Sequence, residues 1–175
     1  TRNAKVYAKH GVDPMILLSA LRQATPSDAM FFTDVTLIEH WAAETLVTHR
    51  PRTYFNPVDN QEMGWSIPAA LGAQGAHRAR KIVTITGDGC LQMSAPEIAT
   101  AVRERLPVKF FVLDNQSYDY MRRLQHAMFR RTTATVLPKI DYAAFAAAYG
   151  VGYHEILATA DVRQGVADAL GQPGP

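Results

Sequence analysis

This sequence has one cysteine, Cys90, in 175 residues. An internal disulfide is therefore excluded, and with it the class of folds stapled by disulfides. A lone thiol suits a reducing compartment, so a cytoplasmic protein is expected. Charge of one sign is also scarce. Eighteen Lys and Arg against 16 Asp and Glu leave a net +2, too little to argue for a nucleic-acid partner. No apolar run approaches the ~20 residues that cross a bilayer, so no membrane role is expected. Zinc-like Cys and His spacing is missing. So are GxxxxGK[ST] and GxGxxG, which disfavours a Mg-nucleotide-binding domain. There is neither an internal repeat nor a low-complexity stretch.

What remains is an ordinary globular composition, 47% apolar, with length for one domain and a sizeable core. The chain starts at Thr1 and ends in Gly-Gln-Pro-Gly-Pro, which reads as a piece of a longer polypeptide. Residues 1–12 read as an incoming linker and 13–175 as the domain. Asp13 stands where it would cap a helix beginning at Pro14. From there strand and helix signals alternate. Strands are expected at 29–33, 52–56, 81–86, 108–113 and 153–156. Helices are expected at 39–48, 66–76, 95–104, 118–129, 141–149 and 161–170, with Gly150 closing the 141–149 helix. Alternation of this kind defines an α/β fold, a doubly wound, mainly parallel sheet flanked by helices. Its final strand is expected to be missing from this piece.

The stretch 81–118 organises the rest. An apolar strand runs into Gly87-Asp88-Gly89-Cys90, and after a helix a second apolar strand ends in Asp114-Asn115-Gln116-Ser117. Two parallel strands joined by a helix set their C-terminal ends side by side. Asp88 and Asn115 should therefore face one crevice, where open α/β sheets bind ligands. A carboxylate, an amide oxygen and a glycine-rich turn suit Mg²⁺ carrying a phosphate. Mg²⁺ takes one or two carboxylates and lets phosphates and water complete its octahedron. Gly87 and Gly89 let backbone N–H groups approach an anion, with a helix N-terminus just beyond. Taken alone, Asp88 also fits a turn aspartate, and Asn115 an Asx turn or helix cap.

Gly87-Asp88-Gly89, then twenty-four residues, then Asp114-Asn115 resembles the fingerprint of the thiamine-diphosphate-dependent enzymes. The flanking text is similar to their acetolactate synthase-like branch. The matching pieces are Thr33-Asp34-Val35, Trp41-Ala42-Ala43, Arg50-Pro51-Arg52-Thr53, Met63-Gly64, Pro68-Ala69-Ala70, Glu97-Ile98-Ala99-Thr100-Ala101-Val102 and Leu106-Pro107-Val108-Lys109. They follow the family's order over nearly the whole chain. The resemblance implies the thiamine-diphosphate-binding fold, and within it the C-terminal domain that holds the diphosphate. It implies thiamine diphosphate and Mg²⁺ as cofactors.

Site roles follow from the resemblance residue by residue. Asp88, Asn115 and the carbonyl of Ser117 match the metal ligands. Gly87, Gly89 and Cys90 match the turn that meets the diphosphate. Cys90 replaces a usual Ser and is a weaker donor; alone it reads equally as a small buried hydrophobe. Thr36 and Leu37 stand in a diphosphate loop whose usual polar side chains are replaced here. Met63 matches the apolar wedge that bends the cofactor into a V, though a loop Met also reads as core filling. Gln61 should offer its carbonyl to the cofactor's 4′-amino group. Tyr118, Tyr120 and Met121 occupy the positions nearest the cofactor. Asp114 replaces an Asn that is not a metal ligand in the family. A carboxylate there tightens Mg²⁺ and repels diphosphate, two opposed effects. Arg122, Arg123, Arg130 and Arg131 form either a solvated face or a contact for an anionic substrate. His40, His126 and His154 receive no role.

The expected function is that of a diphosphate- and Mg-binding domain in an enzyme that breaks or makes C–C bonds beside a carbonyl. Decarboxylation and carboligation of a 2-keto acid, as in acetolactate synthase, lead. A decarboxylase, a diketone or acyl-coenzyme A lyase, and a non-catalytic structural or regulatory relative are the alternatives. No segment matches the family's activating glutamate, so no catalytic residue is expected in this piece. A homodimer or homotetramer with the cofactor at a subunit interface is expected.

Overall fold

A two-residue period in the strands decides the architecture. The computed structural model describes residues 11–35 and 37–175. Within them α1 spans Pro14–Ala24, β1 Met30–Thr33, α2 Leu37–Thr45, β2 Tyr54–Phe55, α3 Ser66–Ala76 and β3 Ile82–Gly87. Then come α4 Asp88–Ser94, α5 Glu97–Arg103, β4 Lys109–Leu113, α6 Asp119–Phe129, α7 Tyr142–Tyr149, a 3₁₀ turn Thr159–Asp161 and α8 Val162–Gly171. The strands are parallel and ordered β2-β1-β3-β4. Phe31, Val83, Ile85 and Phe111 point to one face, where Leu17, Leu21, Ile38, Ala42, Val162 and Val166 of α1, α2 and α8 cover them. Met30, Phe32, Ile82 and Val108 point to the other, under Ile67 and Leu71 of α3, Leu91 of α4 and Ile98 of α5. Helices on both faces of a parallel sheet make the doubly wound fold.

Local signals account for most boundaries. Asp13 Oδ1 accepts the Met15 N–H at 2.9 Å, and Pro14 sits at the first helical position, where a missing N–H costs nothing. Asp141 caps α7 through the Ala144 N–H at 2.9 Å. Gly150 ends that helix at φ +70°, a left-handed cap that glycine tolerates best.

Three expectations need correction. The strand expected at 153–156 does not form, and β4 pairs with β3 alone. A strand needs a hydrogen-bonding neighbour, and a cavity separates this segment from β4. Ile156 packs instead onto α8, so closely that a Cβ at Gly165 would come 2.6 Å from its Cγ1. The helix expected at 95–104 is preceded by a separate one, α4, that continues straight from the glycine turn. Pro96 separates the two, since it lacks the N–H a continuous helix requires. Of the expected linker, residues 1–10 lie outside the described residues, as does Thr36. Val12 already packs against the core, so the domain reaches back to it.

Candidate functional site

The register Gly87↔Leu113 puts the next residues, Asp88 and Asp114, at neighbouring strand ends. Asp88 opens α4 and is 5% exposed. Its Oδ1 accepts the Gly89 N–H at 2.9 Å, while Oδ2 is buried without a hydrogen-bond partner. Burial raises the Asp88 pKa, and the neighbouring Asp114 carboxyl raises it further. The Gly89 N–H, and less strongly the Gln116 N–H, oppose both. Asp114 itself is exposed, and its Oδ1 accepts the Gln116 N–H at 3.1 Å. Tyr142 of α7, which sequence reasoning passed over, has a buried hydroxyl with no partner. Burial and then the charges of Asp114 and Asp88 push that hydroxyl's pKa up. Its only sequence signal is an aromatic directly after the Asp141 cap.

Asn115 and Ser117 line the same cavity as Asp88, about 1120 Å³ in volume. Asn115 is exposed, and its Oδ1 accepts the Ser117 N–H at 3.1 Å, the Asx turn that the residue alone also suggested. The Ser117 carbonyl accepts the Asp119 N–H at 2.8 Å. Each oxygen keeps a second lone pair. Among the described residues no three His, Cys, Asp or Glu cluster as a metal site. A divalent cation nevertheless fits this strand end. Asp88 Oδ2 is orphaned, a second carboxylate adjoins it, and phosphates and water would complete an octahedron.

Gly89 admits no side chain, because a Cβ there would stand 2.6 Å from Cε1 of Tyr118. The Tyr118 ring thus lies over the glycine turn. Cys90 is 4% exposed, and burial, then the nearby Asp34 charge, push its thiol up to about 12. It therefore sits as a neutral, buried group.

Met63 is half-buried and lines the cavity rather than the core. Its loop hangs from a residue that sequence reasoning noted only as part of a motif. Asp34, fully buried at the end of β1, accepts the Gly64 N–H at 2.8 Å on Oδ1. Its Oδ2 accepts the Ser66 hydroxyl at 2.7 Å and the Thr86 hydroxyl at 3.2 Å. The Gly64 carbonyl in turn accepts the Ser94 hydroxyl, at the end of α4, at 2.7 Å. One carboxylate thereby ties the Met63 loop to β1, β3 and α3, and Ser94 ties it to the glycine-turn helix. Gln61 takes up φ +58°, and its side chain donates to the Val58 carbonyl at 3.0 Å and to Glu39 at 3.4 Å.

Leu37, Tyr120 and Met121 also line the cavity, and His40, given no role from sequence, lies tilted by 37° against Tyr120 with ring centroids 6.1 Å apart. Arg122 and Arg123 both donate to Asp119, Arg123 at 2.7 Å. Burial alone would raise the Asp119 pKa, but the two guanidiniums hold it below the usual carboxylate range. Those pairs brace the first turn of α6 from within, while its Met121, Leu124, Met128 and Phe129 stay exposed.

A doubly wound sheet with a glycine turn and a buried carboxylate at its strand ends has the layout of a ligand-binding α/β domain. Residues 34–175 match the family described as thiamine pyrophosphate enzyme, C-terminal TPP binding domain, and the chain belongs to that family. It is 32% identical over 162 residues to the acetolactate synthase isozyme 2 large subunit of Escherichia coli (strain K12), covering 91% of this chain and 30% of that protein. It is 29% identical to the chloroplastic acetolactate synthase of Arabidopsis thaliana, covering 94% of this chain and 26% of that one. Among solved structures it superposes on a Rhodococcus jostii RHA1 thiamine diphosphate-dependent 4-hydroxybenzoylformate decarboxylase, TM-score 0.85 at 25% identity, covering 94% and 31% of the two chains. The chain thus spans under a third of the length of these relatives.

Proposed function

We propose that this domain holds the diphosphate of thiamine diphosphate through Mg²⁺ in an acetolactate synthase-type enzyme acting on a 2-keto acid. The observation that carries it is the buried, partnerless Oδ2 of Asp88 at the strand end beside the glycine turn. Asp88, Asn115 and the Ser117 carbonyl would hold the cation. Gly87, Gly89 and Cys90 would meet the diphosphate, as would Thr36 and Leu37 by their match to the family's diphosphate loop. When bound, thiamine diphosphate supplies a nucleophilic carbon that takes up the carbonyl substrate and holds the negative charge left by C–C cleavage. Met63 would support the rings from below, the Gln61 carbonyl would orient the pyrimidine, and Tyr118, Tyr120 and Met121 would wall off water.

The likeness to a benzoylformate-type decarboxylase favours simple decarboxylation as a second reading. Pyruvate given to the intact enzyme separates the two: acetolactate supports carboligation, and acetaldehyde alone supports decarboxylation.

A homodimer or homotetramer belongs to the same proposal, with a cytoplasmic location. The apolar side of α6, open at Met128 and Phe129, would lie at a subunit boundary. An active protein that sediments as a monomer would exclude this. No helix among the described residues is long and apolar enough to cross a membrane. The functional proposal is tested by calorimetric titration of the intact protein with thiamine diphosphate, with and without Mg²⁺. Binding that needs Mg²⁺ supports it, and the absence of binding refutes it.

A further inference from the structure

We infer that Asp114 makes this a cation-first site, binding a divalent metal before any diphosphate arrives; the inference rests on the function proposed above. Asp88 and Asp114 directly follow the paired residues Gly87 and Leu113, so they stand at adjacent strand ends, and both line the same cavity. Among the described residues neither carboxylate forms an ion pair with a Lys, Arg or His. Each uses one oxygen locally, Asp88 on the Gly89 N–H and Asp114 on the Gln116 N–H. Asp88 Oδ2 is left buried and partnerless, and the unpartnered Tyr142 hydroxyl feels both charges.

Two carboxylates at adjacent strand ends without a basic neighbour repel each other, and the burial of Asp88 weakens the screening on its side. A divalent cation removes that repulsion at once. A diphosphate entering first would instead add to it. An asparagine at 114 would leave one carboxylate, a weak cation site until the phosphates supply further oxygens. The Asp at 114 therefore sets the order of assembly: metal, then diphosphate.

The test uses Mn²⁺ as probe on the intact, cofactor-free protein, reading free Mn²⁺ by electron paramagnetic resonance. One Mn²⁺ should bind with no thiamine diphosphate present. Asp114→Asn keeps the acceptor for the Gln116 N–H and removes only the charge. It should weaken that binding by about tenfold or more, since ligand charge tunes cation affinity over decades. At saturating Mg²⁺ the same variant should bind thiamine diphosphate as well as the unmodified protein, or better. Absence of Mn²⁺ binding to the unmodified protein, or equal Mn²⁺ affinity in Asp114→Asn, overturns the inference. A thiamine diphosphate titration at saturating Mg²⁺ separates the two levels. Cofactor binding without prior Mn²⁺ binding defeats only the order. Mn²⁺ binding without cofactor binding defeats the proposed function.

Discussion

Gly64→Ala should loosen the Met63 loop by an amount the structure bounds. Gly64 sits at φ +84°, where a Cβ would stand 2.5 Å from Ser94 Oγ, 3.1 Å from Met93 Cβ and 3.2 Å from the Cys90 carbonyl oxygen. The left-handed backbone costs an L-residue about 1–2 kcal/mol. Ser94 Oγ can swing aside, but it then gives up its bond to the Gly64 carbonyl, worth about 1 kcal/mol. Met93 and the Cys90 backbone have less room to yield, so about 2–4 kcal/mol in total is expected. For a unit of this size that lowers the melting temperature by roughly 4–16 °C. Scanning calorimetry on the intact protein reads the shift. Gly64→Ala combined with Ser94→Ala should melt close to Gly64→Ala alone, because Ser94 has already given up its bond there and the backbone strain remains. A Gly64→Ala protein melting within ~2 °C of the unmodified one would refute the reasoning.

Met63→Ala should cost little stability, about 1 kcal/mol, because a half-buried Met gives up only part of the ~1.5–3 kcal/mol of full burial. Turnover at saturating cofactor should fall more than cofactor affinity, and Met63→Leu should restore much of it. A large drop in melting temperature with full turnover would return Met63 to core filling. Cys90 should resist iodoacetamide at pH 8.5 in the folded protein and react on unfolding, because burial holds its thiol up to about 12. The sign of the linkage follows. The raised thiol stabilises the fold fully below its unfolded pKa of ~8.5, and that stability drains away as pH rises toward about 12. Denaturant midpoints at pH 8 and 10 measure it, and rapid alkylation of folded protein would contradict the burial.

The fold was legible where local and global signals agree. Asp13-Pro14, the Asp141 cap and Gly150 are chemical marks on the sequence, and the structure uses them as such. The apolar runs at β3 and β4 leave room for little but buried parallel strands. The 153–156 strand misled because a short segment such as Tyr153-His154-Glu155-Ile156 says nothing about whether a neighbour is within reach. At the site, the crevice holding Asp88, Asn115 and Ser117 followed from strand order alone. The Asp34 hub did not, since its partners Gly64, Ser66 and Thr86 lie 30 to 52 residues away along the chain. Tyr142 was hidden for the same reason, being brought to Asp88 only by the packing of α7. Arg122 and Arg123 gave no sequence hint of their shared partner, the buried Asp119 one turn earlier in the same helix.

The central claim is that Asp88 anchors a cation carrying the cofactor's diphosphate. Its most direct test is calorimetric titration of thiamine diphosphate into the intact Asp88→Ala protein at fixed, saturating Mg²⁺. A well-folded variant whose binding heat is abolished, or whose Kd rises by about a hundredfold or more, is the expected result. That corresponds to the loss of about 2.7 kcal/mol or more of anchoring. An unchanged Kd in a folded Asp88→Ala protein would contradict the account.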